Sequence, residues 1–171
     1  MTKIRFSTAC WDLPYPLSMP EPLIGVISDT HGLLRPEAVK ALKGVELIIH
    51  AGDIGASKVL AGLERLAPVY AVRGNIDRGD WARNLPLTRV VEVGGVLLYV
   101  LHELFTLDLD PAAVGFAAVI YGHSHSPHLE RKDGVLYLNP GSAGPRRFTL
   151  PVTVALLRVQ NNGLISEFIE L

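Results

Sequence analysis

Residue types that bind divalent metal ions recur in this sequence where apolar runs end. An Asp-x-His pair follows the first such run, and a Gly-His-Ser-His stretch follows a later one. The set comprises two carboxylates, one carboxamide and four imidazoles: Asp29, His31, Asp53, Asn75, His102, His123 and His125. Without a cation these donors would be poorly stabilised together, because the carboxylates would repel each other and the imidazoles would compete for few partners. Two divalent ions would remove that conflict.

Each motif taken alone also has an ordinary explanation. The Asp-Thr-His, Gly-Asp and Gly-Asn stretches are compatible with turns, and a lone histidine such as His102 is more often hydrogen-bonded than bound to a metal. The pair His123 and His125 is more informative, since alternate residues at a tight bend can aim both rings at one centre. The ordinary explanation requires all these coincidences in one chain, so we favour a metal site.

The apolar pattern predicts the elements that would bring the donors together. Strands are predicted at 23–28, 46–50 and 68–72, and helices at 35–43 and 57–66. This alternation of strand and helix predicts a parallel sheet. Ligands bind at the carboxyl ends of the strands in such sheets, so the polar residues after each strand are expected on one rim.

The second half of the sequence predicts mostly antiparallel strands. A hairpin is expected at 89–102 with its turn at Gly94-Gly95, followed by a short helix at 111–116 and a buried strand at 118–121. Further strands are expected from Val135 onward, with a turn at Asn161-Asn162-Gly163.

Composition limits the class of protein. The chain has 171 residues, of which 49% are apolar and 19% charged, with a formal net charge of -1. We expect an N-terminal extension over residues 1–22 and one domain over 23–171. The single Cys10 excludes an internal disulfide and a thiolate metal site. Stable nucleic-acid binding and membrane association are not expected, and the lack of a signal-like apolar run predicts a cytoplasmic protein.

The order of these motifs resembles the calcineurin-like metallophosphoesterase superfamily, most closely its small bacterial phosphodiesterases of the YfcE type. The resemblance covers the chain from Leu23 on, and the Asn-Pro-Gly-Ser stretch from Asn139 to Ser142 strengthens it. It implies an α/β fold, namely a four-layer α/β/β/α sandwich of two mixed β-sheets flanked by helices. It also implies a dinuclear metal site at the strand rim.

The resemblance implies a role for each donor. The implied division is a first ion held by Asp29, His31 and His125, a second held by Asn75, His102 and His123, and Asp53 bridging the two. Asp53, Asn75 and His123 are expected to be catalytic as well. Mixed carboxylate and imidazole donors suit manganese, iron, zinc or nickel better than calcium, and we expect two manganese ions.

The implied activity is hydrolysis of a small or nucleotide-like phosphodiester by a metal-bridging hydroxide. A phosphomonoesterase is one alternative. A non-catalytic interaction module is another, because the retromer subunit related to this family shares the fold. The complete donor set favours an enzyme, and the sequence leaves homo-oligomerisation open.

This chain departs from the family pattern at two places. Ile76 stands where many relatives carry a histidine that assists phosphoester chemistry, which predicts a modest catalyst that works best on good leaving groups. Where the subgroup often reads Thr-His-Gly-His, this chain has Glu103 and Leu104 after the histidine. Substrate preference is therefore expected to differ from that of better-matched relatives.

Several other residues are candidates for secondary roles. His50 is expected either to support the site from behind or to be a buried structural histidine. His128 is expected on a loop that leads away from the site. Arg73, Arg146 and Arg147 are candidate substrate contacts, although surface arginines are more often solvated. Asn139 and Ser142 are expected to shape the turn beside the site.

Overall fold

The computed structural model describes residues 21–160 and 163–171, so residues 1–20 of the predicted extension and Asn161 and Asn162 of the predicted turn lie outside the described part. The described strands are β1 (Leu23–Ile27), β2 (Leu47–His50), β3 (Val69–Ala71), β4 (Thr88–Val93), β5 (Val96–Leu101), β6 (Ala118–Ile120), β7 (His128–Lys132), β8 (Val135–Asn139), β9 (Thr153–Gln160) and β10 (Gly163–Glu170). The described helices are α1 (Pro36–Ala41), α2 (Ser57–Leu63), α3 (Asp80–Arg83) and α4 (Pro111–Val114), with a 3-10 helix at Leu104–Thr106.

The strands form two mixed sheets of five strands each, which confirms the predicted fold class. The first sheet has the order β10-β9-β1-β2-β3, with β1, β2 and β3 parallel and β9 antiparallel to β1. The second has the order β4-β5-β6-β8-β7, with β5, β6 and β8 parallel to one another. The predicted hairpin is β4-β5, and its turn lies at Gly94-Gly95.

Successive side chains along a strand point to opposite faces of its sheet and pack into different apolar clusters. In β1, Ile24 and Val26 belong to the apolar cluster between the two sheets, whereas Ile27 belongs to the cluster under α1 and α2. In β5, Leu98 and Val100 face the first sheet, and Leu101 lies in a third cluster on the far side. This period of two is what a strand buried on both faces requires. Both faces of β1 and β5 are therefore covered.

Three short elements were absent from the sequence-based expectation: β7, α3 and the 3-10 helix Leu104–Thr106. The residues of β7 are all exposed, and the strand pairs with β8 across the turn at Asp133-Gly134. An edge strand with a single apolar residue, Leu129, shows no apolar alternation, although the Asp-Gly pair is itself a hairpin signal. His128 is the first residue of β7, so its placement on a loop was wrong. The helix α3 spans only four residues.

Helix starts lie close to the expectation. The helix α2 begins at Ser57, and its N-cap residue Ala56 makes no side-chain hydrogen bond. Pro36 occupies the first turn of α1, where its fixed φ suits a helix start. Among the described residues, every helix is too short to cross a membrane.

Candidate metal centre

The structure brings all seven predicted donors to one rim. They follow the carboxyl ends of β1, β2, β3, β5 and β6, which belong to both sheets. The loops after β1 and β2 continue side by side: Asp29 N–H donates to the Gly52 carbonyl and His31 N–H to the Asp53 carbonyl, each at 3.0 Å. These two loops therefore carry Asp29 and Asp53 as a fixed pair.

One group of donors consists of Asp29, His31 and His125. One donor atom from each residue lies within 4.8 Å of the other two. The Nε2 atoms of His31 and His125 are 3.1 Å apart, and Nε2 of His125 is 3.3 Å from Oδ1 of Asp29. The two rings stack with their centroids 5.0 Å apart. Three donor atoms thus converge on one point.

A second group forms around Asn75. Its Oδ1 lies 3.1 Å from Nε2 of His102 and 3.2 Å from Nδ1 of His123. The rings of His102 and His123 are nearly perpendicular, with their centroids 5.3 Å apart. His123 and His125, although they are only two residues apart, therefore belong to different groups.

Asp53 faces both groups. Its Oδ1 is 3.3 Å from Nε2 of His102, and its Oδ2 is 4.0 Å from Nε2 of His31. The backbone N–H of Ile76 donates to Oδ1 at 3.0 Å and holds the carboxylate in this position. A carboxylate with one oxygen toward each group has the geometry that a shared ligand needs.

The site also carries strained backbone. Seven non-glycine residues among those described have positive φ, and five of them are predicted donors: Asp29, His31, Asp53, His123 and His125. Left-handed conformations are uncommon outside glycine and cost free energy that the surrounding structure must supply. Their concentration at this rim marks it as a functional site, independently of the residue types.

Two glycines explain why glycine precedes ligands in the motifs. A Cβ atom on Gly122 would overlap Ser28 Oγ and lie 2.8 Å from Asp29 Oδ2. A Cβ atom on Gly74 would overlap the backbone N and Oδ1 of Asp53. Only a glycine lets these loops approach the carboxylates closely enough.

Buried polar residues behind the donors orient them. The Asn139 amide donates to the Gly122 carbonyl at 2.8 Å, and the Ser142 hydroxyl donates to the Asp29 carbonyl at 3.0 Å. Both residues shape the turns beside the site, as expected. His50 is fully buried, accepts from Gly52 N–H at 3.3 Å and lies 3.0 Å from Thr30 Oγ1. It therefore supports the loops of the site without reaching the donor groups.

The sequence-based interpretation missed Asp77, which is buried. Its two carboxylate oxygens accept from Gly55 N–H at 2.7 Å and Gly74 N–H at 2.8 Å. It thereby ties the loop of Asn75 to the loop of Asp53. The Gly-Asn-Ile-Asp stretch held a signal, because Asp is common in turns, where its side chain accepts from nearby backbone N–H groups.

The arginine candidates differ in position. Nη2 of Arg147 lies 3.5 Å from Nε2 of His31, so its guanidinium stands at the rim. Arg73 lines a neighbouring cavity together with Asn75 and Glu103. The structure assigns no site contact to Arg146, which is exposed.

The pKa values show how strongly the carboxylates depend on their surroundings. Burial raises the pKa of Asp29 above its ordinary value, although the hydrogen bond from Ser28 opposes this. Burial acts in the same direction on Asp53, but hydrogen bonds from His102 and Ile76 outweigh it, and the pKa is lowered. Burial, helped by the charge of Arg147, lowers the pKa of His125 to about 4.

The donor set fits divalent metal ions. Oδ1 of Asp29 is buried and accepts no hydrogen bond within the described part of the chain, although it faces two imidazoles. A buried carboxylate oxygen without a partner is costly unless a cation satisfies it. All the donors are oxygen or nitrogen atoms, which suits Mn²⁺, Fe²⁺ or Zn²⁺.

The calcineurin-like phosphoesterase superfamily domain matches residues 23–162. The chain belongs to this superfamily, which is a family of hydrolases.

Relatives and solved structures agree with this assignment. The chain is 38% identical over 162 residues to a probable metallophosphoesterase of Methanothermobacter thermautotrophicus, covering 86% of this chain and 91% of the relative. A structure described as a novel archaeal phosphodiesterase matches with a TM-score of 0.72 and 26% identity, covering 86% of this chain and 99% of the other. Vps29 from Chaetomium thermophilum shares the fold, with a TM-score of 0.68, 22% identity, and coverage of 87% and 97%.

Proposed function

We propose that this protein is a metal-dependent phosphodiesterase with two divalent ions at the strand rim, manganese being the ion that we expect. The position of Asp53 between the two donor groups supports the proposal most directly. Asp29, His31 and His125 would hold one ion, Asn75, His102 and His123 the other, and Asp53 both. We also propose that residues 23–171 form one domain, since one apolar cluster contains residues of both sheets.

The bound ions would supply Lewis acidity toward the phosphoryl oxygens and would lower the pKa of water at the site. The chain's own residues position the reactants. Ala51 and Asp53 orient His102, and Arg147 stands beside His31, where its guanidinium can donate hydrogen bonds to an anionic phosphoryl oxygen. Asp53, Asn75 and His123 are the residues that we propose contact the reacting centre.

A diester is favoured over a monoester by the charges around the site. Oε1 of Glu103 is 3.6 Å from Nδ1 of His123, so a carboxylate borders the group around Asn75. A phosphomonoester carries up to one more negative charge than a diester and would be repelled more strongly. Ile76 cannot protonate a leaving group, which also favours substrates that leave readily.

A non-catalytic interaction module is the second candidate, because the fold is shared with Vps29. The fold alone does not separate the two functions. The complete donor set favours the enzyme, since a surface that only docks a partner has no need for seven converging donors. Calorimetry with Mn²⁺ separates the two: a chain that neither binds the ion nor hydrolyses any ester supports the interaction module.

The decisive experiment is hydrolysis of bis(4-nitrophenyl) phosphate by chelator-treated protein with and without added Mn²⁺. We expect turnover only with the ion, and Asp53→Asn should lower kcat at least a thousandfold. Asp133→Asn is the matched control, because Asp133 is exposed and has nearly the same φ, 52° against 54°. Turnover without metal, or full activity of Asp53→Asn, would overturn the proposal.

A further inference from the structure

A cavity of about 580 Å³ opens beside His123, next to the proposed metal centre. Apart from the backbone of Gly122 and two serines, aromatic, imidazole and aliphatic side chains line it: Leu104, Phe105, Tyr121, His123, Pro127 and His128. These lining residues include no Asp, Glu, Lys or Arg. The cavity is thus an uncharged space that shares a wall with a residue of the reacting centre.

Phe105 is the most unusual part of this wall. Its side chain is 78% exposed, although aromatic rings normally bury most of their surface. Its ring centroid lies 6.2 Å from that of His123, at an interplanar angle of 69°. The 3-10 helix Leu104–Thr106 holds it, with Thr106 N–H and its hydroxyl both donating to the Glu103 carbonyl. An ordered aromatic face is therefore presented to solvent at the edge of the site.

The cavity also has polar groups at its edge. The Tyr121 hydroxyl lies 2.7 Å from Nδ1 of His128, and Ser124 Oγ accepts from the Asn139 amide at 3.0 Å. An aromatic face with a few hydrogen-bonding groups at the edge is the usual construction of a site for a planar ring.

The cavity on the other side of the centre is different in charge. It has a volume of about 390 Å³, includes His102 in its wall, and is also lined by Arg73, Glu103 and Asp108. Two spaces thus adjoin the reacting centre, one with charged residues and one without. An uncharged substituent of a diester matches the uncharged cavity.

We propose that the cavity beside His123 binds a planar aromatic group of the substrate, such as an aryl or nucleobase ring, with Phe105 stacked on its face. The inference rests on the proposed phosphodiesterase function, because the phosphodiester would place this group beside the centre. Phe105 is then a specificity-determining residue that contacts the substituent rather than the reacting atoms.

Binding of three simple diesters to the manganese-loaded protein, measured by calorimetry, tests the proposal. Diphenyl phosphate carries planar rings, dicyclohexyl phosphate carries apolar rings that are not planar, and diethyl phosphate carries neither. We expect diphenyl phosphate to bind about tenfold more tightly than the other two. Phe105→Ala should remove most of that preference and leave diethyl phosphate within twofold, while Phe105→Tyr should retain it.

Phe148→Ala is the matched control, because Phe148 is 93% exposed and does not line the cavity. Equal binding of the three diesters, an equal loss of all three in Phe105→Ala, or a preference that extends to dicyclohexyl phosphate would overturn the inference. The inference would also be overturned if the protein were a dimer that Phe105→Ala dissociates and showed no preference among the diesters. Phe105 would then belong to an interface between two chains. Hydrolysis of bis(4-nitrophenyl) phosphate, assayed separately, shows whether the proposed function fails instead.

Discussion

Nε2 of His102 lies 3.3 Å from Oδ1 of Asp53, while the opposite ring nitrogen lies 2.7 Å from the carbonyl oxygen of Ala51. A carbonyl oxygen only accepts hydrogen bonds, so Nδ1 carries a proton; Nε2 donates to Asp53 when the ring is charged, and its lone pair is available to a metal ion when the ring is neutral. The loop that supplies the carboxylate therefore also orients the imidazole. In the metal-free protein burial opposes the charge on His102, but its hydrogen bond to Asp53 outweighs burial and raises the pKa.

His123 and His125 should serve different ions, because they lie in different donor groups. We expect His123→Ala and His125→Ala each to lower the content of tightly bound Mn²⁺ from two ions per chain to one. The double variant His125→Ala/Asn75→Ala should bind no ion tightly, because each change removes a ligand from a different donor group. The double variant His123→Ala/Asn75→Ala should still bind one ion, because both changes fall in the same group. Metal analysis after dialysis measures this, and His128→Ala is the control. Identical behaviour of the two double variants would show that the rings share an ion.

Much of the site could be predicted because its ligands are polar residues that interrupt apolar strands. Asp29, His102 and His123 could be recognised in the sequence for this reason. The parallel order of the first strands predicts that residues after the strand ends lie close together at one edge of the sheet. The contacts that support the donors could not be predicted from the sequence where backbone groups make them. The carbonyl of Ala51 carries no signal in its residue type, and the exposure of Phe105 depends on how the 3-10 helix leaves the sheet.

The fold was predicted where apolar periodicity is strong and missed where it is weak. The strand β2 reads Leu-Ile-Ile-His and is buried along its length, whereas β7 reads His-Leu-Glu-Arg-Lys and is exposed along its length. A strand that buries no apolar side chain is held by hydrogen bonds, here mainly those to β8. Such a strand forms because of its tertiary context, and its sequence shows no periodic apolar pattern from which it could be predicted.

His50 should make the metal-free protein sensitive to acid. Burial lowers its pKa to about 3, and the nearby charge of His102 acts in the same direction. Between about pH 6.5 and 3 the unfolded chain binds a proton here that the folded chain does not. The free energy of unfolding should therefore fall by about 1.4 kcal/mol per pH unit from this residue as pH decreases through that window.

Comparison with His50→Gln isolates this contribution, since glutamine can donate to Thr30 and accept from Gly52 but does not titrate. Urea unfolding in the presence of a chelator, at pH values from 7 to 4, measures both proteins. The stability difference between wild type and variant should shrink as pH falls. His128→Gln, at an exposed position, should run parallel to wild type. A constant difference between His50→Gln and wild type would contradict the expected titration.

Ile76→His should restore a proton donor at a position beside the centre. The side chain of Ile76 is 38% exposed, so the change is tolerated, and its backbone N–H already contacts Asp53. General acid catalysis is worth about a hundredfold or more when the leaving group needs a proton. We expect at least a tenfold gain in kcat for diesters with poor leaving groups and little gain for 4-nitrophenyl esters. Ile76→Asn is the control, because asparagine is polar but does not titrate, and it should not raise kcat for either kind of diester.

Glu103→Gln should shift the preference between esters, because Glu103 places a carboxylate 3.6 Å from His123. Removing that charge lessens the repulsion of a dianionic monoester more than that of a monoanionic diester. We expect kcat/KM for 4-nitrophenyl phosphate to rise severalfold relative to bis(4-nitrophenyl) phosphate. The ratio should respond less in high salt, which screens charges at an accessible rim. Glu92→Gln removes an exposed carboxylate on β4 and should leave the ratio unchanged. An unaltered ratio in Glu103→Gln would show that the preference for diesters does not depend on this carboxylate.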